Sequence, residues 1–141
     1  MSRAVEDTNR RMLRARDAMD RDYAEPLDVP TLARIAYVSE AHFIRTFRAT
    51  FGETPHRYLQ RRRVERAMFL LRETDRSVSE ICLDVGFASL GSFGRTFRNI
   101  VGESPTSYRL RAADLRAVPA CFSKAWMRPS SFGEASEHAA S

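Results

Sequence analysis

Phe43-Ile44-Arg45-Thr46-Phe47-Arg48 is answered fifty residues later by Phe93-Gly94-Arg95-Thr96-Phe97-Arg98. Each copy runs on into a stop and a restart, Gly52-Glu53-Thr54-Pro55 and Gly102-Glu103-Ser104-Pro105, and then reaches a tyrosine, Tyr58 or Tyr108. A repeat this regular means two copies of one structural unit. Phenylalanines four residues apart lie on one face of a helix. Gly52 and Gly102 stand where a left-handed helix-ending residue belongs. Thr54 and Ser104 are N-caps followed by proline at the first helical position, where a missing N–H costs nothing.

The flanking sequence supplies the remaining helices. Residues 8–23 read as an amphipathic helix with Met12, Ala15, Met19 and Tyr23 at helical spacing, closed by Pro26. Asp28 caps the next helix, whose buried face is Leu32, Ala33, Ile35 and Ala36. After the turn Tyr37-Val38-Ser39, Ser39 caps a helix that runs through Phe51. A helix from Pro55 to about Glu73 follows, with Tyr58, Leu59, Ala67, Leu70 and Leu71 apolar and Arg61-Arg62-Arg63 a partly solvated basic cluster. Ser77-Val78-Ser79-Glu80 is a capping box opening a helix buried by Ile81, Cys82 and Val85. Gly86-Phe87 turns the chain into a helix over 89–101, and Ser104-Pro105 opens a last short helix carrying Tyr108. No stretch alternates with period two for long, so the expected fold class is all-α. The expected organisation is an N-terminal helix packed on the first subdomain (1–26), a first helix-turn-helix (27–54), a linker helix (55–74), a second helix-turn-helix (75–111) and an irregular tail (112–141).

Of the 141 residues 43% are hydrophobic, enough for a core. No apolar run approaches the roughly 18 residues of a membrane span, and the N-terminus has no secretory h-region. Cys82 and Cys121 have neither metal-ligand spacing nor a disulfide framework, so a reduced, cytoplasmic chain is expected, with no metal and no cofactor. The net charge of +5 lies wholly within residues 27–111; residues 1–26 and 112–141 are each neutral. A basic excess confined to one region is the footprint of a polyanion binder, although a solvated basic surface with no partner gives the same balance. Twenty-two of the 23 basic residues are arginine, with Lys124 the exception. Residues 112–141 hold Pro119, Pro129 and Gly133, yet Cys121, Phe122, Trp126 and Phe132 are too apolar for a pure linker; they dock on the body or present a contact to another protein.

Helix, short turn, helix is the helix-turn-helix pattern, whose second helix enters the major groove with its N-terminal residues at the base edges. Two copies make a two-headed reader. A joining helix of about 19 residues is roughly 28 Å long, against the roughly 34 Å between successive major grooves on one face of the duplex. Residues 27–111 resemble the DNA-binding domain of AraC/XylS-type transcription regulators. Leu32-Ala33, Ser39, Phe43, Arg45, Phe47, Gly52 and Pro55 carry the resemblance in the first half, and Arg63, Glu65, Ala67 and Leu70-Leu71 in the linker helix. In the second half it rests on Ile81, Val85-Gly86-Phe87, Phe93, Arg95, Phe97, Gly102, Ser104-Pro105 and Tyr108. It implies seven helices in two homeodomain-like units, bound as a monomer to an asymmetric double-stranded DNA site and activating, less often repressing, through RNA polymerase. Only 26 residues precede the module, too few for a sensor domain. The stand-alone form, with no small-molecule effector domain, is therefore expected.

In the first head, Ser39, Glu40, Ala41, Ile44, Arg45 and Arg48 face away from the phenylalanines and are the candidate DNA contacts. Arginine bidentate to guanine is the commonest specific base contact, so Arg45 is the leading reader; an ion pair with a neighbouring acid is its competing role. Glu40 can accept from cytosine or favour the helix dipole, the dipole being the preferred role, and Ala41 can pack on a thymine methyl. His42 packs beside the inter-helix groove or reaches a phosphate. In the second head the candidates are Ser89, Leu90, Gly91, Ser92, Gly94, Arg95 and Arg98. Leu90 and two glycines offer only close backbone approach and methyl contact, so the second head is expected to clamp phosphates while the first supplies most base specificity. Tyr37, aligned with Gly86, is a non-glycine in a turn that favours positive φ. Two other readings share these features: a non-specific architectural nucleic-acid binder, and an adaptor working through Trp126 and the tail. No carboxylate pair, nucleophile–base set or phosphate loop points to an enzyme.

Overall fold

The computed structural model describes residues 2–117, and over them the chain forms seven α-helices and no strand. These divide into two compact units, Met1–Arg63 and a second beginning at Val64. The first holds α1 (Arg3–Arg21), α2 (Val29–Ala36), α3 (Glu40–Phe51) and the opening nine residues of α4 (Pro55–Glu73). The second holds the rest of α4, then α5 (Val78–Asp84), α6 (Leu90–Val101) and α7 (Pro105–Ala117).

Side-chain oxygens start six of the seven helices where the sequence places them. Asp28 accepts from the Thr31 N–H at 3.0 Å, Ser39 from His42 at 3.3 Å, Thr54 from Arg57 at 3.2 Å, Ser77 from Glu80 at 3.1 Å, Ser89 from Ser92 at 3.1 Å and Ser104 from Ser107 at 3.1 Å. The Thr31 hydroxyl also binds the Asp28 carboxylate and, as the largest cause, holds its pKa below the usual value. The capping box closes differently from expectation, because the Glu80 carboxylate accepts from the Ser77 hydroxyl at 3.1 Å. Gly52 (φ 80°) and Gly102 (φ 97°) end α3 and α6 in the left-handed region, which a side chain disfavours.

The bounds of α1 and α7 differ from the sequence reading. α1 begins at Arg3 and not at Thr8, because Ser2 caps it, accepting from the Val5 N–H at 3.2 Å. Thr8 is already interior, its hydroxyl donating back to the Ala4 carbonyl at 2.9 Å. α7 is 13 residues long, so the stretch expected to be irregular from 112 is helical to Ala117. Leu110, Ala112, Ala113, Leu115 and Arg116 are good helix formers, and Arg116 pairs with Glu73 of α4 at 2.6 Å. Cys121, Phe122, Trp126 and Phe132 lie outside the described residues.

Each unit is built on an aromatic ladder. Phe47 meets Phe43 at 5.6 Å, Phe51 at 4.7 Å and Tyr58 at 5.7 Å between ring centroids. The first core joins these rings to Met12, Ala15 and Met19 of α1 and Leu32, Ala33 and Ala36 of α2. In the second unit the ladder runs Phe87, Phe93, Phe97, Tyr108 at 5.2, 5.7 and 5.8 Å, with Ala67, Leu71, Ile81, Cys82 and Val85 also buried. Tilted and edge-on contacts at these distances add to the area buried.

The Gly-Glu-Thr/Ser-Pro joints carry a second shared device. Glu53 pairs with Arg61 at 3.0 Å, and the Arg61 guanidinium lies 5.1 Å from the Tyr58 ring centroid. Glu103 pairs with Arg111 at 2.9 Å, with Arg111 5.5 Å from Tyr108. Arg61-Arg62-Arg63 is half-buried, in line with a partly solvated cluster, and each of the three is also engaged within the first unit. Arg62 bonds Asp20 at 3.1 Å, and Arg63 donates to the carbonyls of Tyr23 and Glu25 at 2.6 and 2.8 Å.

The two tyrosines close their ladders with opposite polarity. Tyr58 donates to the Asp20 carboxylate at 2.6 Å, whereas the Tyr108 oxygen accepts from Arg72. Burial, and then the Asp20 bond, push the Tyr58 pKa up to about 12. A group whose folded pKa is raised keeps its stabilisation below the unfolded value, about 10 for tyrosine, and loses it as pH climbs through the folded value. Urea melts should therefore weaken between about pH 10 and pH 12, and Tyr58→Phe should flatten that stretch of the curve. Identical slopes for parent and variant would rule the linkage out.

Candidate nucleic-acid interface

α3 and α6 each bury two phenylalanines, Phe43 and Phe47 or Phe93 and Phe97, and turn the opposite face to solvent. Ser39 caps α3, and Glu40, Ala41, Ile44, Arg45 and Arg48 are all exposed on it. On α6, Ser89 is the cap, Leu90, Gly91, Arg95 and Arg98 are exposed, and Ser92 and Gly94 are half-buried. Every candidate contact thus lies on its unit's outward helix face or at that helix's cap. Because Ser39 and Ser89 use an oxygen lone pair for capping, each hydroxyl proton stays free to donate to a phosphate.

Many scaffold arginines are engaged: Arg61, Arg62 and Arg63 as above, Arg76 with Glu80 and Asp84, Arg109 with the carbonyls of Leu71 and Thr74, and Arg111 with Glu103. Arg14, Arg16 and Arg66 lie against aromatic rings instead, and Arg10 makes no ion pair among the described residues. The side chains of Arg45, Arg48, Arg95 and Arg98 make no hydrogen bond or ion pair among the described residues. The intramolecular role weighed for Arg45 therefore has no partner there. Arg57, exposed near the start of α4, belongs to the same unpaired set. Sequence reasoning missed it because His56-Arg57 has no counterpart in Thr106-Ser107. His42 is exposed, its ring nitrogen 3.4 Å from the Thr46 hydroxyl.

The two faces differ in relief. A Cβ added at Gly94 would meet nothing within 4 Å, and one at Gly91 only the Arg95 Nη1 at 3.5 Å. Neither glycine is demanded by packing within the described chain, although each lowers helix stability by about 0.5–1 kcal/mol relative to alanine. The Arg95 guanidinium lies back along the helix over Gly91. Leu90 stands half exposed beside it.

A family model described as a helix-turn-helix domain matches residues 32–111. The chain is 31% identical over 93 residues to the regulatory protein SoxS of Salmonella typhimurium, covering 66% of this chain and 87% of that protein. The chain belongs to the AraC-type helix-turn-helix family. Among solved structures, an AraC-type transcriptional regulator from Chromobacterium violaceum superposes with a TM-score of 0.68 at 31% identity, over 74% of this chain and 93% of that one. The DNA-binding domain of AdpA, solved in complex with a target DNA, gives 0.65 at 34% identity over 78% and 94%. The chain spans only 22 to 34% of the length of the first curated relatives it matches. As an AraC-type domain it carries two helix-turn-helix units, α2–α3 and α5–α6. Among the described residues no helix is long and apolar enough to cross a membrane, and no group of side chains would hold a metal ion.

Proposed function

We propose that this chain is a cytoplasmic, sequence-specific transcription regulator that binds an asymmetric promoter site as a monomer and activates through RNA polymerase. α3 and α6 enter successive major grooves. The supporting observation is the set of exposed guanidinia of Arg45, Arg48, Arg95 and Arg98 on the outward faces of α3 and α6, without an ion pair among the described residues and left for phosphates and base edges. In the first unit Arg45 reads bases, Ala41 and Ile44 contact methyl groups, and Ser39 and Arg48 hold the backbone. Glu40 serves the helix dipole. In the second unit Ser89, Ser92, Arg95, Arg98 and the helix N-terminus clamp phosphates, while Leu90, Gly91 and Gly94 let the backbone come close. Selection from random duplexes should enrich one asymmetric motif of two half-sites, the one contacted by α6 being the less constrained. Enrichment of no motif, with uniform salt-dependent retention, would favour a non-specific architectural binder.

The glycine face makes a separate expectation. Gly94→Ala should raise stability by about 0.5–1 kcal/mol, read as a higher thermal midpoint. It should also weaken duplex binding by at least about tenfold, the scale of one mismatched base pair. A stabilised variant that binds as tightly as the parent would end the close-approach account.

A further inference from the structure

A second surface lies on the outer face of α1. Leu13 and Ala18 of α1 and Ile35 of α2 floor a groove of about 420 Å³ within the first unit. Arg10, Arg14 and Arg21 stand around it with one acid, Asp17, in the lining. Arg21 is paired with Asp22 at 3.1 Å. The α1 members recur at helical spacing on a stripe beside the buried Met12, Ala15 and Met19. Arg10 and Arg14 make no ion pair among the described residues, and Leu13 is 41% exposed although it lies next to the core stripe.

Tyr37 continues this surface. Its ring lies 5.5 Å from the Arg14 guanidinium, and its carbonyl accepts from Arg11 at 2.8 Å. It is the only non-glycine with positive φ among the described residues (φ 58°), and it is 73% exposed. The matching position of the second unit is Gly86 (φ 99°), the residue such a backbone favours. A bulky side chain is therefore held in a conformation that disfavours it, and the ring buries little within the unit. Strain kept at an exposed aromatic points to a contact made outside the chain.

We propose that this groove docks a segment of another protein, one carrying an aliphatic or aromatic anchor between carboxylates. The anchor lies on Leu13, Ala18 and Ile35, and the carboxylates meet Arg10 and Arg14. Tyrosine and arginine at the rim of an apolar pocket match the composition of binding hot spots. A DNA backbone fits less well, because phosphates gain nothing from an aliphatic floor. The inference is independent of the base-reading role of Arg45 and is tested without DNA.

A displayed library of random peptides, panned against the full chain, provides the test. Selected peptides should carry an apolar residue flanked by Asp or Glu. They should bind Leu13→Asp and Arg14→Glu at least about tenfold more weakly, a loss of roughly 1.4 kcal/mol. Tyr37→Gly should also weaken them while melting no lower than the parent, which separates docking from folding. Three results would overturn the proposal: no enrichment, enriched peptides insensitive to these substitutions, or basic peptides. So would a tenfold loss of affinity for duplex alone, with a shallower salt dependence, in Arg10→Ala and Arg14→Ala, since the face would then be a DNA contact.

Discussion

Glu103→Ala should destabilise the second unit by about 3–5 kcal/mol, whereas Glu53→Ala at the matching position of the first should cost about 1 kcal/mol or less. The motif is the same and the burial is not. The Glu103 side chain is fully buried and Arg111 is 15% exposed, against 25% for Glu53 and 37% for Arg61. The Glu103 carboxylate accepts from the Arg111 Nε at 3.0 Å and from the Ser107 hydroxyl at 3.0 Å, and it forms an ion pair with the Arg111 Nη2 at 2.9 Å. Removing it leaves a largely buried guanidinium without its counter-charge, and this desolvation penalty is the large one. Arg61 can turn to water instead. Urea unfolding followed by circular dichroism measures both, and equal losses would show that burial does not set the difference.

Arg45→Ala should relax base preference at one position of the α3 half-site by about 1–3 kcal/mol, roughly fivefold to 150-fold in relative affinity. Arg95→Ala should instead weaken all duplexes alike and reduce the salt slope by about 0.9. Arg45→Lys keeps the charge but loses the planar fork, so it should retain most non-specific binding and still lose the preference. Competition titrations against single-base variants of the selected site decide the matter. A base-specific effect of Arg95→Ala as large as that of Arg45→Ala would remove the division of labour between the heads.

Most of the scaffold was legible because its signals are local. Serines, a threonine and an aspartate cap within three residues, Gly52 and Gly102 end helices by their own backbone freedom, and phenylalanines four apart mark a buried face. What stayed hidden depends on partners far along the chain. Arg61 and Arg45 look alike in sequence; one meets Glu53 eight residues back across the Gly-Glu-Thr-Pro joint, and the other meets nothing among the described residues. Neither the length of α7, tied to Glu73 through Arg116, nor the use of Arg63 by the carbonyls of Tyr23 and Glu25 follows from spacing. The candidate contacts themselves were found by helical periodicity alone, because an outward face is defined once the inward phenylalanines are known.

The contribution of α1 to the first core bears on where this chain can be cut. Met12, Ala15 and Met19 are fully buried, and Asp20 holds both Tyr58 and Arg62. A fragment trimmed to the matched residues 32–111 would leave Phe43 and Phe47 facing water where α1 had been, and would also lose the Asp28 cap of α2. Such a fragment should yield one folded unit and one collapsed, protease-sensitive one, so the smallest expressible piece is fixed by the hydrophobic interior and must keep α1 from at least Met12.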